Sequence, residues 1–173
     1  MRTVRTNVFE TNSSSVHTVC LLPLTDSAKC EPLPTDENNN VVGSFDEFGW
    51  DGRCVTAEGK LSYLLVMIWE TLPDIAKPDD ASIFCANETE RKNAIEIIKD
   101  TVGFKIIEKV LKEYGGYNGL VISSDYDGYI DHQSCETYET LNDFLEDWGI
   151  HGEEEIYNFI VGPSYITIDN DNH

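Results

Sequence analysis

Apolar residues recur at helical spacing after Thr56, at Leu61, Leu64, Leu65, Ile68 and Leu72, and this period predicts a central core helix over residues 57–72. Ala94, Ile95, Ile97 and Ile98 predict a second helix, with Asn87 as N-cap and Glu90 three residues later in capping-box spacing. Phe104, Ile106, Ile107, Val110 and Leu111 carry the helical period on to Tyr114, where Gly115 and Gly116 stop it. The pattern then changes. Residues 119–123 read as a buried-type strand, 125–128 as a turn and 129–133 as a second strand, so a hairpin is predicted here. Thr140 is placed to cap a helix carrying Leu141, Phe144, Leu145 and Trp148, which Gly149 ends. A further short helix over 151–161 places Ile156, Phe159 and Ile160 on one face. Gly162 and Pro163 turn the chain into a last strand over 165–168.

The N-terminal third is less regular. Residues 3–9 alternate loosely as a strand, 10–15 form a polar turn, and 16–22 resume as a strand stopped by Pro23. Residues 25–40 are polar, include Asn38, Asn39 and Asn40, and read as a mobile loop. Phe45, Phe48 and Trp50 among Asp46, Glu47 and Asp51 suggest an anchored irregular segment or a short helix. Ile83, Phe84 and Cys85 suggest a short strand. No repeat or heptad array is present. The expected fold class is α+β: a small, mainly antiparallel sheet covered by helices, in a single domain over residues 1–173.

Charge sharpens this picture. The 173 residues hold 32 acidic against 12 basic side chains, a net charge of −20. From Glu113 onward, 61 residues contain no lysine or arginine and 14 aspartates or glutamates. The core-forming residues in this stretch exclude a disordered acidic tail. A folded surface of this sign repels nucleic acid and phospholipid headgroups and suits a basic partner, above all one built to hold nucleic acid. Adaptation to salt, or plain solubility, is the alternative explanation. Asp143, Glu146, Asp147, Glu153, Glu154 and Glu155 form the densest set. Asp143 and Asp147 stand one helical turn apart, and no lysine four residues away neutralises them. These carboxylates lie opposite Phe144, Trp148, Ile156 and Phe159 in the periodic pattern, so they are expected to be exposed and cheap to substitute. They are the predicted partner-binding residues.

The five cysteines are odd in number, widely spaced and form no C-x-x-C pair, so they read as reduced thiols. With no secretory signal and no apolar run longer than residues 64–69, the expected location is the cytoplasm.

Three polar segments could carry chemistry. Ser13, Ser14, Ser15 and His17 could cradle an anion in a nest or pair a nucleophile with a base, but a hydrogen-bonded turn that joins two strands and caps a neighbouring helix is the favoured reading, as no G-x-S-x-G elbow is present. The second segment, 123–134, fails as a calcium loop: counted from Asp125, position 5 is Tyr129 and position 6 is Ile130, where glycine is needed. Asp131 and His132 are adjacent on a strand and point to opposite faces. Asp169 lies in a terminal run of alternating aspartates. No metal and no cofactor is expected from these spacings. A metal- or phosphate-dependent hydrolase joining Ser13, His17, Asp131, His132 and Asp169 in one pocket is the competing reading, opposed by the scarcity of basic residues in the second half.

Residues 9–17, Phe-Glu-Thr-Asn-Ser-Ser-Ser-Val-His, resemble the start of a group of uncharacterised proteins from phages and mobile elements of Gram-positive bacteria. Residues 129–134 and 167–172 also look like segments of that group. The resemblance covers about 21 residues, at both ends of the chain. It implies a small acidic mobile-element protein of the kind that blocks host defences, anti-CRISPR and DNA-mimic anti-restriction inhibitors among them. The partner so implied is a basic nucleic-acid-binding protein such as a CRISPR effector, with no membrane and no nucleic acid bound directly.

Overall fold

The computed structural model describes residues 2–5, 15–23, 31–48, 52–72, 88–123, 129–130 and 140–170. The elements run β1 (Arg2–Arg5), β2 (Ser15–Leu21), β3 (Asn40–Gly43), β4 (Glu47–Phe48), β5 (Gly52–Cys54) and α1 (Ala57–Glu70). They continue with α2 (Glu88–Asp100), α3 (Val102–Gly115), β6 (Gly119–Ile122), β7 (Tyr129–Ile130), α4 (Leu141–Asp147), α5 (Glu153–Val161) and β8 (Tyr165–Asn170). The fold is α+β.

An antiparallel sheet of order β1-β2-β8-β5 joins the two ends of the chain. In its centre β2 pairs with β8, with His17 opposite Ile168 and Val16 opposite Asp169. Two short parallel pairs stand apart from it, β3 with β6 and β4 with β7.

Helix α1 is the hub. The sequence between Leu61 and Trp69 is apolar except for Ser62, and a helix apolar all round must be enclosed on every side. Every residue from Lys60 to Trp69 is buried. Its start is fixed twice over: Thr56 Oγ1 accepts the Gly59 N–H at 3.0 Å, and Glu31 Oε2 accepts the Ala57 N–H at 2.6 Å.

The structure corrects several expectations. Strands β6 and β7 do not pair as a hairpin; each runs parallel to a strand from the N-terminal half. A parallel pair needs a long crossover, and the chain between β3 and β6, with α1, α2 and α3, supplies it. Burial decides the choice, because pairing with β3 puts Leu120 beside Val41 in the core. The helical period from Ala94 to Tyr114 is also split. Thr101 Oγ1 accepts the Phe104 N–H at 3.1 Å and donates to the Ile98 carbonyl at 2.6 Å, closing α2 and opening α3 at one residue.

The mobile loop expected over 25–40 is, in its described part, tied down. The Asp36 carboxylate accepts from Asn38 N–H, Asn40 N–H and the Asn40 amide at 2.8–2.9 Å. Asn39 adopts φ 57°, and Asn38 and Asn39 bond to the 116–118 turn. Polarity here marks local hydrogen bonding rather than solvation. Leu33 is buried, and the Glu31 N–H donates to the Val161 carbonyl. Residues 24–30, the expected strand over 83–85 and the Asn87 cap lie outside the described residues. The segment around Phe45 and Phe48 contains β4, with β5 following it.

Cys20 and Cys54, the cysteines among the described residues, are buried free thiols. No helix among the described residues is long and apolar enough to cross a membrane.

Candidate functional site

The carboxylate-bearing face is built by α4 and α5 on an aromatic base. Phe144 of α4 and Trp148, its C-cap, lie one turn apart with ring centroids 4.0 Å from each other. Both stack on Tyr63 of α1, at 6.0 and 5.6 Å, and Trp148 meets Phe159 of α5 edge-on at 6.1 Å. These contacts fix the buried sides of both helices, so their opposite sides hold fixed positions in solvent. Asp143, Glu146, Asp147, Glu154 and Glu155 are exposed, and Glu153 is half-buried.

The six carboxylates are not equivalent. Thr140 and Asp143 form a reciprocal cap: Thr140 Oγ1 accepts the Asp143 N–H at 3.2 Å and donates to Asp143 Oδ2 at 2.7 Å. Glu155 Oε2 accepts the His151 N–H at 2.6 Å, bracing the turn before α5. Glu153 pairs with Lys109 of α3 at 2.8 Å, and this bond is the main reason the Lys109 ammonium is held above its ordinary range. Asp143 and Glu153, Glu154 and Glu155 also lie in first helical turns, where the backbone dipole favours negative charge. The expectation that all six are cheap to substitute is therefore corrected at Asp143, Glu153 and Glu155, which carry caps or an ion pair. Glu146 and Asp147 differ. They occupy the C-terminal turn of α4, which has no basic residue and where the dipole disfavours a carboxylate. Glu146 accepts from the Asn142 amide at 2.9 Å.

Beneath this face lies a residue that the apolar periodicity concealed. Lys60, fully buried on α1, donates from Nζ to the carbonyls of Gly162 and Ser164, at 2.5 and 2.9 Å. It anchors the turn that links α5 to β8, and its ammonium lies 5.9 Å from the Phe159 ring centre. Desolvation lowers its pKa to about 8, while Cys54 and Glu31 pull the other way. Burial also pushes the Cys54 thiol up to about 12, offset in part by Lys60. The signal was present in the sequence: a lysine inside the one helix whose other faces are all apolar has no route to solvent.

The polar segments fare differently. The register of β2 and β8 places Ser15 opposite Asn170 and Val16 opposite Asp169, so the two distant segments are neighbours. His17 does not join an exposed polar patch. Its ring is 2% exposed, and Nδ1 shares a 2.7 Å hydrogen bond with the Tyr63 hydroxyl, its direction set by the imidazole tautomer. Phe48 packs edge-on against the same Tyr63 at 4.9 Å. Ser13, Ser14, Asp131 and His132 lie outside the described residues. Among the described residues no group of three or more His, Cys, Asp or Glu side chains is arranged to hold a metal ion.

Comparison with family models, with curated proteins and with solved structures returns no match.

Proposed function

We propose that this chain is a non-enzymatic modulator that docks its α4–α5 face on a basic, nucleic-acid-holding protein, an inhibitor of the anti-CRISPR or anti-restriction kind. The observation that carries this reading is the placement of Glu146 and Asp147: exposed, on a rigid aromatic base, and at the helix end where the dipole disfavours them. Helix stability explains Asp143, Glu153 and Glu155 through their caps and ion pair. The last turn of α4 is the end where the dipole disfavours a carboxylate, so that dipole does not account for Glu146, which accepts from the Asn142 amide, or for Asp147. Fixed, exposed carboxylates suit a partner whose cationic groove is spaced for phosphates. Attraction between the two surfaces speeds encounter, and the contacts beside the carboxylates set specificity.

The test is capture of partners from a bacterial lysate at low and high salt, using the parent chain and a triple reversal, E146K/D147K/E154K. The parent is expected to retain a basic partner at low salt and release it as salt rises, since exposed charges are screened within about 8 Å at physiological ionic strength. The triple variant is expected to lose it. Reversals at Glu37 and Asp100, exposed elsewhere on the fold, serve as the control. Capture that survives the triple reversal with the same salt dependence would sink the reading.

A further inference from the structure

A cleft of about 250 Å³ opens beside the acidic face, between the end of β2, the turn joining α4 to α5, and α5 itself. Leu21, Leu22, Ile150 and Phe159 supply its apolar walls. Two polar side chains of α5, Glu155 and Asn158, also line it, and three residues apart they share one helix face.

These two groups are in different states. The Glu155 carboxylate is held in place by the His151 N–H on Oε2. Among the described residues no cation pairs with its other oxygen. The Asn158 side-chain amide, half-buried, has no hydrogen-bond partner among the described residues. Ser164 also lines the cleft, but its hydroxyl is committed, accepting from Leu22 N–H at 3.0 Å and donating to the Leu22 carbonyl at 3.3 Å. Lys60, behind Ser164, has turned its ammonium to the carbonyls of Gly162 and Ser164. Glu155 is thus the one charged group lining the cleft among the described residues.

We propose that this cleft takes an arginine side chain of the basic partner, a step that rests on the functional reading above. The apolar walls suit the methylene stem, which long cationic side chains lay along hydrocarbon while their heads reach polar groups. The head meets a carboxylate fixed in position and an amide oxygen one helical turn further along. A planar guanidinium, with five donors in a fixed fork, can bond both at once, whereas an ammonium offers a point charge. An anion is refused by Glu155. The cleft is the anchor; Glu146, Asp147 and Glu154 form the surrounding field.

The experiment uses the full chain, isotopically labelled, titrated at low ionic strength with N-acetyl-arginine amide, and in parallel with the blocked lysine and the blocked neutral citrulline. Arginine is expected to shift the amides of Leu22, Gly149, Ile150 and Ser164 and the side-chain amide of Asn158 along one saturating curve. Glu155→Gln keeps an oxygen for the His151 N–H and removes the charge, so it tests the site without removing the brace. It is expected to weaken binding about tenfold or more, the scale of one charge-assisted hydrogen bond, and Asn158→Ala to weaken it as well. Citrulline or lysine binding as well as arginine overturns the proposal. So do shifts confined to Glu146 and Asp147 that never saturate, which would leave the acidic-face reading standing. A partner captured in a salt-sensitive way but held equally by both variants likewise refutes the cleft and spares the broader reading.

Discussion

Replacing Lys60 by methionine tests the electrostatics of the core directly. The substitution keeps most of the side-chain volume and removes the charge together with the bonds to Gly162 and Ser164. Two effects then oppose each other. The ammonium is desolvated, and the interval between 10.5 and about 8, at about 1.4 kcal/mol per pH unit, is a cost of about 3 kcal/mol for keeping it charged at neutral pH. Against this, two carbonyls in the 162–164 turn lose their donor, at about 1–3 kcal/mol each. The net change at pH 7 is therefore small or destabilising.

The pH dependence carries the sharper information. A lysine with a lowered folded pKa gives its stabilisation in full above the unfolded value of 10.5, and loses it as pH falls through about 8. Stability from this group rises with pH. Linkage makes the rise roughly 1 kcal/mol between pH 8 and 9. Above pH 9 the Cys54 thiol acts in the opposite sense: its folded pKa is raised from 9.0 to about 12, so its contribution, full below 9.0, is lost toward 12. From pH 8 to 9 the Lys60 contribution is therefore the larger of the two. Urea unfolding at half-unit pH steps, with the difference taken between parent and Lys60→Met, cancels the groups that Lys60 does not influence and leaves Lys60 with its coupling to Cys54 and Glu31. The difference should rise across that window in favour of the parent, and should change little with salt because the group is buried. A flat difference curve would show that the two carbonyls fully offset the desolvation, and the argument for a strained buried cation would fail.

Three further outcomes are expected. Tyr63→Phe keeps the aromatic stack and removes the hydroxyl bonded to His17, and should cost roughly 1–2 kcal/mol in chemical denaturation; an unchanged midpoint would mean that the 2.7 Å contact contributes nothing. Asp36→Ala should lower the melting temperature at neutral pH and loosen amide-exchange protection at Asn38, Asn40 and Asn118. Because hydrogen bonds, first that from the Asn40 side chain, hold the Asp36 carboxyl below its usual range, its contribution is present above 3.8 and lost as pH falls through the lowered value, so parent and variant should converge in acid. Reversal of Glu146 and Asp147 should leave the unfolding free energy within about 0.5 kcal/mol of the parent, whereas Asp143→Lys and Glu155→Lys should each lower it by the roughly 1 kcal/mol typical of a lost helix cap. Equal effects from the two sets would contradict the distinction drawn between them.

Local pattern alone determined the helices and much of their polarity. Thr140 caps where the sequence placed it, Phe144, Trp148, Ile156 and Phe159 turn inward, and the carboxylates opposite them turn outward. Those features depend on residues three or four apart, which a single helix brings together by itself. The strand partners were a different matter. A strand can bury its apolar face only against another segment, and nothing within residues 119–122 specifies β3 over the nearer β7; the core formed by α1 makes that choice. The same holds for polar residues. His17 and Lys60 look solvent-facing by residue type, and Asn38 to Asn40 look like a loose loop. Yet Tyr63, the carbonyls of Gly162 and Ser164, and Asp36 supply partners that make burial or order affordable. Whether a polar side chain faces water or a partner is decided by groups as far away as the 102 residues between Lys60 and Gly162, and only the tertiary structure brings those groups within bonding distance.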